Sequence, residues 1–272
     1  MTLLVEVAVG DGIVMASDSR TTWPITGKPT RVASDFTHKL FGVGKCAAAT
    51  AGYASISGRN IASHVADFLE GFDGAGKTPE EVSNELADFF SIRLEAHFDA
   101  GLDPRPSAGV DAITFLVAGF NGATGELREI DLPSKTIRLL HTTTSGGVAW
   151  LGQRDVVDRI IKGVDPEIDS RAAGDADLVN ALSKLTPVRD GLEYLIAPLR
   201  MNIQDAIDFA TLLIRTTIDV QRLTNGTLAD IGAFPGVGGP IEVCLVTAST
   251  GFEWIQRTVT RGERQSGQTE VL

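Results

Sequence analysis

The residue types that could do chemistry stand at the head of the chain, in the stretch MTLLVEVAVGDGIVMASDSR. A hydroxyl is a poor nucleophile until a base removes its proton. A threonine at a mature N-terminus carries that base in its own α-amino group. An α-amine has a reference pKa of about 8, near enough to neutrality to act as a base when a neighbouring cation lowers it. Thr2 fits this role, because a small side chain at position two permits removal of Met1. Leu3 to Val9 is almost continuously apolar, Gly10-Asp11-Gly12 is a tight-turn signal, and Ile13 to Ala16 resumes the apolar run before Ser17-Asp18-Ser19-Arg20. In the β-hairpin that this predicts, Thr2 lies opposite residues 19 to 21 and Asp18 is one strand away, at a spacing of about 5 Å. An acid and a nucleophile then share a corner of a sheet, and what is missing is a cation.

The elements that must hold this corner come in blocks. Arg31 to Ala33, Lys39 to Val43 and Cys46 to Ala51 read as short strands, the last running to Gly52. A helix follows with Ile61, Val65, Phe68 and Leu69 on one face. The next helix has Thr78 as N-cap, Pro79 at its first position, Glu81 completing a capping box, and Val82, Leu86, Phe89, Phe90 and Leu94 along it. Strands return at Ala112 to Phe120, Glu126 to Asp131, Ile137 to His141 and Val148 to Leu151. Helices are predicted over Asp155 to Lys162, within Asp175 to Leu195, and over Asn202 to Arg222, before a last hairpin of Ile241 to Thr247 and Phe252 to Arg257. A doubly wound parallel sheet would alternate strand and helix. Blocks instead predict an α+β fold, two packed antiparallel sheets with a helical layer outside each. No Pro- or Ser-rich linker divides the chain, so residues 1–272 read as a single domain.

Composition narrows the function. The chain has 272 residues, 43% hydrophobic and 22% charged, which is ordinary for a globular protein. A net charge of −11 repels phosphate backbones and anionic lipid, which argues against nucleic acid and membrane surfaces as partners. No window approaches the roughly 18 consecutive apolar residues of a membrane span, and the first residues lack signal-peptide order, so the expected location is the cytoplasm. Cys46 and Cys244 sit in apolar strand-like runs and read as buried thiols. His38, His64, His97 and His141 are scattered without metal-ligand spacing, and neither a metal nor a cofactor is expected. Gly236-Val237-Gly238-Gly239 precedes a strand instead of opening a helix, so it reads as a turn and not as a phosphate loop.

Thr2 heading a strand, the turn at Asp11-Gly12, the run Ala16-Ser17-Asp18-Ser19-Arg20, Thr37-His38-Lys39-Leu40, and Thr50-Ala51-Gly52 before a helix together resemble a proteasome β-subunit. The order of elements resembles the four-layer αββα sandwich of N-terminal-nucleophile (Ntn) hydrolases. With Thr2 directly behind the initiator, the likeness is closest to bacterial proteasome-type peptidases of the HslV and Anbu kind. Residues 2–52 carry the motifs, and the rest of the chain matches in architecture. The resemblance implies that Thr2 is the nucleophile, Lys39 the missing cation, Asp18 the group that orients Lys39, the Gly52 N–H the oxyanion hole, and Arg20 a support. Two departures stand out. The family's serine beside the nucleophile is replaced in Leu151-Gly152-Gln153, and its Asp and Ser-Gly-Gly pattern is replaced by Val237 before Gly238-Gly239. Both remove partners of the terminal amine.

The implied function is a threonine-type peptidase in a self-compartmentalising homo-oligomer, closed as a ring or open as a spiral, acting on peptides or proteins. The resemblance leaves an ATPase partner open. An amidase or transpeptidase on a particular small amide or peptide, or a non-catalytic assembly protein, would use the same fold. Mapping the family's pocket gives Thr21, Thr37, Phe41, Thr50 and Ala54, a wall without ionisable side chains that predicts apolar residues before the scissile bond. Trp23 to Thr30 is an apparent insertion relative to the family, and the alternative to an uncharged pocket is that it folds over and brings Lys28 or Arg31 into it.

Overall fold

The computed structural model describes residues 2–25, 28–107, 110, 112–165, 167–228 and 230–259, with no side-chain description at 24–29. The chain runs β1 Leu3–Val9, β2 Gly12–Ser17, β3 Thr21–Ile25, β4 Lys28–Ser34, β5 Leu40–Val43, β6 Cys46–Gly52, β7 Ser55–Ile56 and β8 Arg59–Asn60. Helices α1 Ile61–Gly71 and α2 Pro79–Asp99 follow, then β9 Ile113–Asn121, β10 Thr124–Leu132, β11 Thr136–Thr142 and β12 Gly147–Gly152. Next come α3 Asp155–Ile161, α4 Ile168–Ala172, α5 Ala176–Asp190 and α6 Ile203–Leu223. The described chain ends with β13 Gly226–Thr227, β14 Asp230–Ile231, β15 Glu242–Thr247 and β16 Gly251–Gln256.

Two five-stranded antiparallel sheets form, in the orders β12-β1-β2-β15-β16 and β11-β10-β9-β6-β5. Their packing follows from strand parity. Leu3, Val5, Val7 and Val9 face α3 and α6, where Val157, Ile161, Ala210, Leu213 and Ile214 meet them. Leu4 and Ala8 face the other way and pack with Ala47, Ala49, Leu116 and Leu127 of the second sheet. That sheet's outer face carries Ala48, Phe115 and Val117 against Val65, Phe68, Leu86 and Phe90 of α1 and α2. The result is the expected αββα layering. Because β1 is covered on both faces, all seven of its residues are buried, which is why its sequence reads as an unbroken apolar run.

The helix starts follow their local chemistry. Thr78 and Glu81 form the expected capping box, and Asn202 and Asp205 form a second one at the start of α6. Two expected elements form but take surroundings that their sequence does not indicate. The strand expected at Arg31 to Ala33 is part of β4, which among the described residues pairs only with β3, in a separate hairpin whose Trp23 and Arg31 are exposed. That hairpin leaves Arg31 away from the pocket it was expected to cover, and the side chain of Lys28 is outside the described residues. The helix expected within Asp175 to Leu195 is α5, and none of its residues is buried.

Candidate active site

The β1–β2 register extends one step past its last pair to bring Leu3 beside Asp18. The Leu3 N–H donates to Asp18 Oδ1 at 2.9 Å and the Asp18 N–H to the Leu3 carbonyl at 3.2 Å. On the other side of β1, the Gln153 N–H donates to the Thr2 carbonyl at 2.7 Å. Thr2 is thereby held between two strands, with 8% of its surface exposed.

Asp18 is fully buried and receives four donors. Besides Leu3 N–H, these are Lys39 Nζ at 2.7 Å, the Arg20 N–H at 3.1 Å and the Gly238 N–H at 3.0 Å. Lys39 Nζ also donates to the Arg20 carbonyl at 2.7 Å, so its ammonium is fixed in direction as well as in place. Burial lowers the Lys39 pKa, and the charge and hydrogen bond of Asp18 oppose that shift. Continuation of the β5–β6 ladder, Thr50 N–H to the Lys39 carbonyl at 3.0 Å, sets Lys39 against the strand that ends in Gly52. Gly52 has φ +105, and a Cβ there would lie 2.2 Å from the Ala112 carbonyl oxygen, so only glycine fits.

Arg20 acts through the loop after β14. Its guanidinium pairs with Asp35 through Nε at 2.6 Å and Nη2 at 3.2 Å, and Nη1 donates to the Pro235 carbonyl at 3.0 Å. A Cβ on Gly238 would fall 2.5 Å from the guanidinium carbon. The glycines at 238 and 239 thus do more than turn the chain, since one of them supplies an N–H to Asp18. Sequence reasoning missed this, because nothing local in Gly236-Val237-Gly238-Gly239 indicates a partner more than 200 residues earlier.

Two cavities meet at Thr2 and Gly52. The smaller, about 30 Å³, is lined by Thr21, Thr37, Lys39, Thr50 and Ala54, with His38, Tyr53 and Ile61 joining them. The expected wall therefore carries ionisable groups, and Phe41 is not part of it. Two residues beyond Lys39, that face of the sheet is already under the helices, and Phe41 packs into the core beneath α1 and α2. The larger cavity, about 860 Å³, lies toward the turn after β12 and the end of α6, and includes Gln153, Asp155, Arg159 and Gln221. Another cavity of about 420 Å³ beside α5 reaches none of the expected site residues.

Three of the four histidines have structural partners. His64 bonds the Ile56 carbonyl, His97 meets the Ser57 N–H and Asp103, and His38 pairs with buried Glu242 at 2.7 Å. Among the described residues no three His, Cys, Asp or Glu side chains gather where a metal ion could bind. Both cysteines are free and buried, and burial pushes the Cys46 thiol up to about 11.

No model of a known protein family matches this sequence, and no curated protein does. Among solved structures, the Anbu (Gly-1) mutant from Hyphomicrobium sp. strain MC1 superposes with a TM-score of 0.54, covering 97% of this chain and 91% of that one. The chain has the Anbu fold. At 15% identity the likeness establishes architecture alone, the αββα sandwich, and leaves the chemistry to the side chains. Within the Anbu fold of this chain, Thr2, Asp18, Lys39, Arg20 and Gly52 converge on one corner, whereas the 235–239 loop and Gln153 enter it only through tertiary packing. Among the described residues no helix is long and apolar enough to cross a membrane.

Proposed function

We propose that this chain is an N-terminal threonine hydrolase of the peptidase type, with Thr2 exposed as the N-terminus by removal of Met1. The observation that carries the reading is Lys39. Its ammonium is buried, bound by Asp18 and the Arg20 carbonyl, and it lines the cleft that Thr2 lines. A fixed positive charge there lowers the proton affinity of both the Thr2 hydroxyl and its α-amine.

In the proposed reaction the α-amine takes the Thr2 hydroxyl proton as Oγ1 attacks the substrate carbonyl carbon. The oxyanion is met by the Gly52 N–H, a contribution of about 3 to 4 kcal/mol where one such donor has been removed in other hydrolases. The C–N bond then breaks as the amine returns the proton to the leaving nitrogen. Water hydrolyses the ester by the same route, with the α-amine again as base.

The working form is proposed to be a homo-oligomer. Supporting this, α5 buries none of its residues and exposes Leu178, Leu185 and Val188, an apolar face of the kind that subunit contacts cover. The test is intact-mass analysis together with a β-lactone probe. The chain should lack Met1 and gain one acyl group at Thr2, and Thr2→Ala should neither label nor turn over peptide. Undiminished hydrolysis by Thr2→Ala would sink the reading.

A further inference from the structure

We infer that substrates are selected by the portion that leaves, with a small residue before the scissile bond and a neutral, polar peptide arm of several residues after it. The inference rests on the reading of Thr2 as nucleophile. A substrate crossing Thr2 must place its two arms in the two cavities that meet there, and these differ in volume, about 30 against about 860 Å³. The smaller holds Lys39 and the Thr21–Thr37 wall, where the acyl side chain is proposed to sit. It has room for a water or two, hence for a hydrogen, a methyl or a hydroxymethyl group. Its walls are tied together. Thr21 Oγ1 donates to Thr37 Oγ1 at 2.8 Å, and Lys39 is held at both its ammonium and its carbonyl. Opening it for a leucine or phenylalanine would break these bonds.

The larger cavity is within the range that encloses drug-sized ligands. Its lining carries side chains with unused hydrogen-bonding capacity. Gln153 Oε1 and Asp155 Oδ1 are buried acceptors and Gln221 Nε2 a buried donor, each without a partner among the described residues. Buried polar groups left unpaired cost free energy, which a ligand with the complementary groups returns. Acceptors on the turn after β12 and at the start of α3, with a donor on α6, suit the N–H and C=O groups of an extended peptide. The arginines of the lining, Arg154, Arg159 and Arg171, are already engaged by Asp158, Asp165 and Glu167, so they are not held ready for an acidic arm.

When the acyl bond to Thr2 Oγ1 forms and the C–N bond breaks, the protonated amine and its arm depart through this wider side. The test uses the full-length protein and two peptide sets. One set varies the residue before the scissile bond over Gly, Ala, Ser, Leu and Phe with a constant five-residue Ser/Asn/Gln arm after it. The other replaces the arm by a single aminocoumarin. Values of kcat/KM should be at least about tenfold higher for Gly, Ala and Ser than for Leu and Phe, and loss of the arm should cost at least about tenfold. Best cleavage after Leu or Phe overturns the inference, as does indifference to the arm. Cleavage of neither set while a β-lactone still labels Thr2 overturns it and leaves the nucleophile standing. Absence of labelling removes both.

Discussion

Lys39 Nζ lies 2.7 Å from Asp18 Oδ1, and the same carboxylate accepts backbone N–H bonds from Leu3, Arg20 and Gly238. One buried side chain thus ties the first strand, the turn after the second and a loop before β15 to the ammonium of Lys39, which lines a cavity together with Thr2. Removing one member of a buried ion pair typically costs about 3 to 5 kcal/mol, because the other is left uncompensated.

Lys39→Ala should therefore lose both turnover, by at least about a hundredfold, and stability. Lys39→Arg should keep more stability than turnover, since a planar guanidinium cannot stand in for a compact ammonium. Kinetics normalised to the folded fraction, read by circular dichroism, check both. Wild-type kcat/KM in Lys39→Ala would return the residue to a structural role.

Asp18→Asn keeps the shape and removes the charge. Burial already lowers the Lys39 pKa, and Asp18 is the main opposing influence. In the variant the Lys39 pKa should fall further, and the alkaline limb of the kcat/KM profile should move to lower pH. An unmoved limb would show that the Lys39 charge is not what the rate follows.

Gly52→Ala should be damaging despite adding one methyl group. With φ +105 and a Cβ 2.2 Å from the Ala112 oxygen, the strand end must move, and strain of this kind costs roughly 1 to 3 kcal/mol. The expected result is a melting temperature lower by several degrees and acylation of Thr2 slowed by more than tenfold. Wild-type acylation would remove the Gly52 N–H from the oxyanion hole.

Glu6 predicts how stability varies with pH. It sits between the sheets on the same side of β1 as Leu4 and Ala8, fully buried, with neither carboxyl oxygen partnered among the described residues. Burial, with the charge of Glu129 adding to it, raises its pKa well above the usual carboxylate range. The unfolded chain therefore loses this proton at lower pH than the folded one. The contribution is fully present below the unfolded pKa and is lost as pH rises through the folded pKa, by up to about 1.4 kcal/mol per pH unit. Glu6→Gln cannot ionise and should flatten the fall in melting temperature between pH 5 and 8. Parallel pH curves for the two proteins would show that Glu6 does not titrate.

Much of the architecture is written in short-range chemistry. The β1–β2 hairpin comes from a turn between two apolar runs, and the start of α2 from Thr78, Pro79 and Glu81 acting within one helical turn. The order of blocks was enough to expect four layers, because sheets and helices with one apolar face each have few ways to bury it. Thr2 and Asp18 were placed together by hairpin register alone, whereas Lys39, Arg20 and Gly52 rested on resemblance to a family.

Tertiary structure decided the rest. The N–H of Gly238 reaches Asp18 only because β15 pairs with β2, a contact between distant segments that no local pattern encodes. Phe41 belonged to the expected pocket by resemblance to a family, but the helices cover its part of the sheet and draw it into the core. The separate β3–β4 hairpin and the unburied α5 depend on what else packs nearby. So do the two unequal cavities at Thr2, since a cavity is the space left after every side chain has found its place. The residue types of the corner around Thr2 are a property of the sequence. The room available around it is a property of the fold.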